Sequence, residues 1–429
     1  MKNLVVDNGS YTVKCGFSGD QKSPQITANT VVRTRDGAIH TGNAYLSQHS
    51  QYSGMLFKRP HEQGNLTSWE IERPVWDIAF EELRVDAKDT RLILSETPFQ
   101  LPQLSINTDQ IVFEEYGFDS YYRAVPQALV DWVEDDEAEG ENGVNSSEQK
   151  LTRKSTKKDV KPIKSNFSLI IDSGFNCTWI VPMLYNNVYW KGVRKFPLGG
   201  RAINGLLREL ISFRHYDVSD EAVLINTIKE STCFMAQDYK KTLSNRSSHD
   251  CVFVLPDFKT TTTGYIRDDS TKRSKNSDDS EQQVLHLSDE RFTPSEAFYH
   301  PEIIFNSSTS NSSKIHSSTF KNLTDLIVES IMTCPVATRP MLSANISIVG
   351  GTSKMKNFKE RLSHELTSEL PMDWTVRIRE NRYDAIDMAW HGGVSLSEDD
   401  RLNDVCISKK EYFEHGPNWC QRQFGFKNQ

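Results

Sequence analysis

The sequence has no run approaching the roughly 18 to 20 consecutive apolar residues of a membrane span. A helical membrane-spanning segment is therefore excluded. Cysteine is scarce and scattered: there are seven in 429 residues, Cys15, Cys177, Cys233, Cys251, Cys334, Cys406 and Cys420, never spaced CxxC. That pattern argues against a zinc ribbon or a disulfide framework and predicts reduced thiols, hence cytosol or nucleus. A basic surplus is missing too. Lys and Arg number 50 against 58 Asp and Glu, a net charge of -8, so bulk charge cannot carry non-specific binding to nucleic acid. Any encounter with it is expected through partners. Met1 and Lys2 lead straight into the strand-like run Leu4-Val5-Val6, and no signal peptide is expected.

With 37% apolar and 25% charged residues, the composition is that of a globular chain of roughly two to three domains. The least core-like segment runs from Glu134 to Ser165. It opens acidic (Glu134-Asp135-Asp136-Glu137) and turns basic between Lys150 and Lys164, which predicts a charge-segregated, disordered linker. Arg267 to Gln283 and Asn306 to Ser318 read as polar surface loops. Elsewhere strands and helices alternate. Phe167 to Ile171, Cys177 to Met183 and Asn345 to Val349 are strand-like runs. Phe358, Leu362, Leu366 and Leu370 recur every fourth residue, with Lys359, Glu360 and Arg361 elsewhere on the wheel, and Pro371 ends the helix. The mixture implies an α/β architecture.

Two distant segments read alike. Leu4-Val5-Val6-Asp7-Asn8-Gly9-Ser10 precedes the strand-like Tyr11 to Phe17, and Leu169-Ile170-Ile171-Asp172-Ser173-Gly174 precedes Cys177 to Val181. Each is an apolar strand, an Asp, a small-residue turn and a second strand. The glycine lets backbone approach a ligand, turn N–H groups can face an anion, and the strand-end Asp can hold a hydrated cation. A single such turn is an ordinary feature. Two in equivalent contexts suggest duplicated halves that clamp a nucleotide's phosphates across a cleft. Ile346-Ser347-Ile348-Val349-Gly350-Gly351 adds a strand running into paired glycines, which can present amides to a phosphate or nucleoside.

These residues resemble actin and the actin-related proteins over nearly the whole chain apart from the insertions. Asp7, Gly9, Ser10 and Lys14 look like the family's first phosphate loop, Asp172-Ser173-Gly174 like the second, and Gly350-Gly351 like the nucleoside turn. Ile228-Lys229-Glu230 resembles the adenosine-contacting helix, and Leu198-Gly199-Gly200-Arg201 the turn beside it. Further collinear matches are Lys58 to Gly64, Leu94 to Pro98, Phe113 to Tyr116 and Ser408 to Tyr412. The stretches Phe113 to Ser120, Ile171 to Pro182, Ser212 to Tyr216 and Glu414 to Phe424 resemble more specifically the sixth class of actin-related proteins, nuclear subunits of SWR-type chromatin remodelling complexes.

The resemblance implies an actin-like fold of the duplicated ribonuclease-H-like kind, two domains with a nucleotide cleft between them. The first half would span 1–132, a charged insertion 133–165, the second half 166–384 with loops 267–283 and 306–318, and a return to the first half 385–429. It implies ATP or ADP bound by Asp7, Gly9, Ser10, Lys14, Asp172, Gly174, Gly200, Lys229, Glu230, Gly350 and Gly351, with Mg²⁺ held through water by Asp7 and Asp172. It further implies a non-catalytic scaffold that docks on a remodeller ATPase chain and pairs with a small zinc-HIT subunit. Nucleosomal DNA and histones would be met mainly through the complex, in the nucleus, with the cytoplasm as a second compartment and no membrane.

Departures from conventional actin bear on hydrolysis. Tyr11 follows Ser10 where the first loop is Gly-rich, and Phe175 and Asn176 replace the second loop's Asp and Gly. Aligned from Phe113-Glu114, the water-positioning glutamine falls at Pro126, with Gln127 one step off; proline cannot orient a water. Met355 replaces a tyrosine near the adenine. Unless the alignment slips by one so that Gln127 serves, turnover is expected to be slow or absent. The competing readings are an ATP-hydrolysing actin-like protein or filament former, an empty cleft shut by Tyr11 and Phe175, and direct DNA binding by residues 150–164.

Overall fold

The computed structural model describes residues 1–19, 22–47, 53–133, 166–258, 261–267, 282–305 and 320–425. The expected linker from Glu134 to Ser165, most of the two polar loops, the basic stretch 150–164 and Phe426 lie outside the described residues.

Two sheets share one three-strand plan. In the first, β1 (Lys2–Asn8) folds back antiparallel onto β2 (Thr12–Phe17), placing Leu4 opposite Phe17 and Asn8 opposite Val13. β3 (Gln25–Ala28) pairs with β2. On the other side of β1, β4 (Thr90–Ser95) runs parallel, with Leu4 beside Leu92 and Val6 beside Leu94, followed by β5 (Ser120–Ala124) and the short strand Ile407–Ser408. In the second sheet β6 (Phe167–Ser173) and β7 (Thr178–Leu184) form the antiparallel pair, and β8 (Ile346–Val349) runs parallel to β6, with Leu169 beside Ile346. Short turns suffice for the two hairpins, whereas each parallel partner needs a long crossover. The repeated motif in the sequence thus folds as a repeated unit.

Around the sheets lie α1 (Trp69–Glu82), α2 (Pro126–Val130), α3 (Gly200–Arg214), α4 (Ala222–Thr232), α5 (Phe358–Glu369), α6 (Met388–Ser397) and α7 (Pro417–Phe424). Strand side chains alternate between faces. Leu4, Val6 and Leu92 join Trp76 and Phe113 on one face of the first sheet; Val5 and Ile93 join Leu129 and Trp390 on the other. Leu169 and Ile171 join Phe298 and Phe358, whereas Ile170 joins Val130, Val181 and Met388. α2 and α6 therefore lie between the sheets, each giving apolar side chains to both. Their contact is close because α6 carries Gly392, where an added Cβ would stand 1.8 Å from the Leu129 carbonyl oxygen.

The structure places α5 where the spacing predicts it, with Phe358, Leu362 and Leu366 buried. Arg361 departs from that pattern: it is only 6% exposed. Its Nε donates to Glu365 Oε1 at 2.7 Å and its guanidinium lies 4.5 Å over the Tyr299 ring. A helical wheel shows one helix's own periodicity and not the loops that pack on it. The aromatic tail covers the first sheet: the Phe424 ring is 5.4 Å from Tyr121 and 5.8 Å from Tyr122, and Trp390 is buried. A smaller sheet (Cys251–Val254, Tyr265–Ile266, Val284–Leu287) packs Phe253 and Leu285 against Leu207 and Ile228.

Candidate functional site

A cavity of about 860 Å³ opens between the two hairpin turns, within the range of small-molecule sites. Its wall contains every residue expected there: Asp7, Gly9, Ser10, Lys14, Asp172, Gly174, Gly200, Lys229, Glu230, Gly350 and Gly351.

The first turn is fixed from behind. Asp7 ends the buried run of β1, and Lys14, facing it across the hairpin, brings Nζ to 3.0 Å from Asp7 Oδ2. Ser95 Oγ donates to Asp7 Oδ1 at 2.7 Å and accepts from the Asn8 N–H at 2.8 Å. Asn29 Nδ2 donates to the Gly9 carbonyl at 3.0 Å. Gly9 is required here: an added Cβ would meet the Thr12 carbonyl oxygen at 2.7 Å.

The second turn is tied to the start of α3. The Gly174 carbonyl accepts from the Gly200 N–H at 3.1 Å and from Thr352 Oγ1 at 2.8 Å, and the Phe175 carbonyl accepts from the Arg201 N–H at 2.8 Å. Gly350 sits at φ +90, a backbone state that favours glycine, and an added Cβ would stand 2.4 Å from the Ser173 carbonyl oxygen. A Cβ at Gly351 would meet only Ile386, at 4.0 Å, so that face stays open. On α4, Asn226 accepts from Lys229 Nζ and donates to Glu230 Oε1, both at 2.8 Å, and burial pulls the Lys229 ammonium below the usual lysine range. Met355 also lines the cavity.

Burial, reinforced by the neighbouring Asp7, pushes the Asp172 carboxyl up to about 6, against the lowering effect of the Gln127 bond and Lys14. Two carboxylates that share one space with one lysine suit a divalent cation, which would relieve their repulsion.

Pro126 and Gln127 stand side by side at the cleft. Pro126 occupies the first turn of α2, where a missing N–H costs nothing. Both residues line the cavity, and Gln127 brings the polar side chain: it is fully buried, Nε2 donates to Asp172 Oδ2 at 2.7 Å, and Oε1 has no partner among the described residues. A glutamine amide thus stands at the second carboxylate, one step from the position aligned with the water-positioning residue.

The Tyr11 and Phe175 rings meet across the cleft with centroids 4.8 Å apart. The Arg59 guanidinium, which the sequence did not single out, stacks 4.4 Å from Tyr11 and 5.0 Å from Phe175. Its Nη1 donates to the carbonyls of Tyr11 at 3.2 Å and Asn29 at 3.1 Å.

Behind the first turn lies a polar group that also escaped the sequence. Glu72, fully buried on α1, accepts from Asn29 Nδ2 at 3.1 Å and Trp76 Nε1 at 3.0 Å, with His61 Nδ1 at 3.8 Å. Burial pushes Glu72 up to about 8 and His61 down to about 4. Near pH 7 the two meet as neutral groups and not as an ion pair. Glu72 shares the first turn of α1 with Glu70, and nothing in their spacing marks one as interior.

The residues present fit an adenine nucleotide with a hydrated Mg²⁺. Both turns line the one cavity, an added Cβ at Gly351 would meet only Ile386, and the unpartnered polar atoms Gln127 Oε1 and Asn176 Nδ2 belong to residues of the cavity wall.

A family model described as Actin matches residues 1–425. The chain is 53% identical to the Actin-like protein ARP6 of Debaryomyces hansenii over 429 residues, covering 99% of this chain and 98% of that protein. It is 47% identical to the Actin-like protein ARP6 of Candida albicans over 466 residues, covering 100% and 99%. With the Actin-like protein ARP6 of Saccharomyces cerevisiae the identity is 35% over 447 residues, covering 99% and 98%.

Proposed function

The chain belongs to the actin family, and we propose that it is a non-catalytic scaffold subunit of a nuclear chromatin remodelling complex that exchanges a variant histone into nucleosomes. Its direct partners are then the remodeller's ATPase chain and a small zinc-HIT subunit, with nucleosomal DNA and histones met through the assembly. The resemblance of Ile171 to Pro182 and Glu414 to Phe424 to the sixth actin-related class supports this reading, as does full-length similarity to proteins named ARP6. Residues 1–132 and 166–384 act as the two halves, with 385–429 returning to the first.

Members of the actin family bind ATP or ADP with Mg²⁺. In this chain Asp7 and Asp172 would hold the hydrated ion, Gly9, Ser10, Lys14 and Gly174 the phosphates, and Gly200, Lys229, Glu230, Gly350 and Gly351 the nucleoside. When bound, the cation would supply charge neutralisation between Asp7 and Asp172. The observation that carries the non-catalytic reading is the Tyr11–Phe175 contact at 4.8 Å, which sets two rings between the phosphate turns.

Equilibration of the purified chain with radiolabelled ATP and Mg²⁺ tests this. Retained nucleotide without phosphate release is expected; no retention overturns the cofactor, and steady release overturns the scaffold-only reading. A pull-down from nuclear extract is expected to bring down the remodeller ATPase and the zinc-HIT subunit, and their absence overturns the partner assignment.

The buried Gln127 beside Asp172 favours a second reading, an ATP-hydrolysing actin that forms filaments. Sedimentation with Mg-ATP over a concentration series separates the two, since cooperative pelleting belongs only to the filament former.

A further inference from the structure

Tyr11 and Phe175 lie on the corresponding turns of the two halves, one step out of register: four residues after Asp7 and three after Asp172. Tyr11 stands one residue beyond Gly9-Ser10 in the first turn, and Phe175 directly follows Gly174 in the second. Both line the cavity. Their centroids are 4.8 Å apart at an interplanar angle of 42°, which is van der Waals contact and leaves no room for a phosphate between the rings.

Arg59 could in principle be a phosphate ligand, but its setting argues otherwise. It is absent from the cavity wall. Its planar group is covered by both rings, and Nη1 is engaged by the carbonyls of Tyr11 and Asn29. The guanidinium therefore braces the rings from outside the cavity and ties three chain segments together.

On the reading proposed above, a nucleotide in this cavity would set its nucleoside against Gly350, Gly351, Lys229 and Glu230 and its phosphates toward the two turns, where Lys14 stands. A chain of phosphates that grows in this direction runs into the ring pair. We infer that the Tyr11–Phe175 pair, braced by Arg59, acts as a length gauge that makes the cleft selective for a nucleoside diphosphate over the triphosphate. The inference rests on the reading of the cleft as a nucleotide site. The third phosphate enters only by parting the rings and uncovering Arg59, and the ligand's differential affinity for parted and closed states is what discriminates.

The test uses the full-length chain freed of nucleotide and titrated calorimetrically with Mg-ADP and Mg-ATP. The wild-type protein is expected to bind Mg-ADP at least about tenfold more tightly, a difference of about 1.4 kcal/mol. Tyr11→Ala combined with Phe175→Ala is expected to bring the ratio within about twofold by tightening Mg-ATP, and Arg59→Ala to shift it the same way. Equal wild-type affinities overturn the proposal without needing any variant to fold. An unchanged ratio in the folded double variant overturns it as well, and so does weakened Mg-ATP binding in Arg59→Ala, which would make Arg59 a phosphate ligand. Failure of both nucleotides to bind wild type and variants alike overturns the nucleotide reading itself, and the gauge with it.

Discussion

Gln127 Nε2 lies 2.7 Å from Asp172 Oδ2, joining the start of α2 to the end of β6. The bond links a helix packed between the sheets to the carboxylate at the second turn, so the position of Asp172 depends on how α2 sits. Because Gln127 Oε1 is left without a partner among the described residues, the amide also keeps an acceptor for a water. Gln127→Leu removes a buried donor to a carboxylate and should lower stability by about 1 to 3 kcal/mol, read as a drop in the urea midpoint. The same residue predicts a gain of function. Tyr11→Gly with Phe175→Asp clears the rings and should yield phosphate release from Mg-ATP above the wild-type level, and adding Gln127→Leu should abolish it. Absence of release in the cleared variant would show that more than the rings prevents turnover.

The Glu72–His61 contact makes a prediction in pH. Glu72 is raised from 4.5 to about 8, so between those values the folded chain holds a proton the unfolded chain has lost. Its contribution is full below 4.5 and is lost as pH climbs through 8. His61 is lowered from 6.5 to about 4, so its contribution is present above 6.5 and is lost as pH falls toward 4. The two slopes oppose each other in the acid range, and between pH 6.5 and 8 that of Glu72 stands alone within the pair. Glu72→Gln, neutral at every pH, should remove a decline of about 1 kcal/mol per pH unit in that window. Comparing urea denaturation of wild type and variant at pH 6.5 and 8 isolates the difference. Identical slopes would mean that Glu72 ionises normally in the fold.

The repeated Asp-x-Gly turns were readable because phosphate and cation chemistry fixes residue types at short spacing, and the structure brings Asp7, Gly9, Asp172 and Gly174 to one cavity. β1, β6 and β8 follow from short continuous apolar runs, since both faces of each strand are buried, and α5 follows from its periodic apolar face. What escaped the sequence depends on meetings between distant segments. Arg59 reaches Tyr11 and Phe175 only through the fold, Glu72 is buried only because Asn29 and Trp76 surround it, and the bond from Gln127 to Asp172 joins residues 45 positions apart in the chain.

The aromatic tail gives a prediction about packing. Phe424 touches Tyr121 and Tyr122, and the Arg123 guanidinium lies 5.7 Å over its ring. Arg123 is itself held at 3.1 Å from Asp109 and 3.3 Å from Glu96 in the interior. Phe424→Ala uncovers that buried charge group as well as two rings, and should cost about 1 to 3 kcal/mol in chemical denaturation. A change within about 0.5 kcal/mol, the usual surface value, would mean that the tail covers nothing essential and is free to dock elsewhere.

Two glycines on helices should respond to alanine in opposite ways. Gly205, within α3, has nothing within 4 Å of an added Cβ, so Gly205→Ala recovers helix propensity and should stabilise the chain by about 0.5 to 1 kcal/mol. The same gain is available in principle at Gly392 on α6, but there the added carbon stands 1.8 Å from the Leu129 carbonyl oxygen and 3.1 Å from the Val130 nitrogen. Backbone cannot move aside as a side chain tip can, so the clash outweighs the propensity gain and Gly392→Ala should cost about 3 kcal/mol. The effect reaches the cleft. Leu129 packs against the first sheet and Val130 against the second, and Gln127 at the start of the same helix holds Asp172. Pushing α6 off α2 therefore changes the spacing of the two turns. Gly392→Ala should lose nucleotide retention at temperatures where it is still folded by circular dichroism, whereas Gly205→Ala should retain it. Equal retention by both would show that the seam between α2 and α6 supports the fold without setting the width of the cleft.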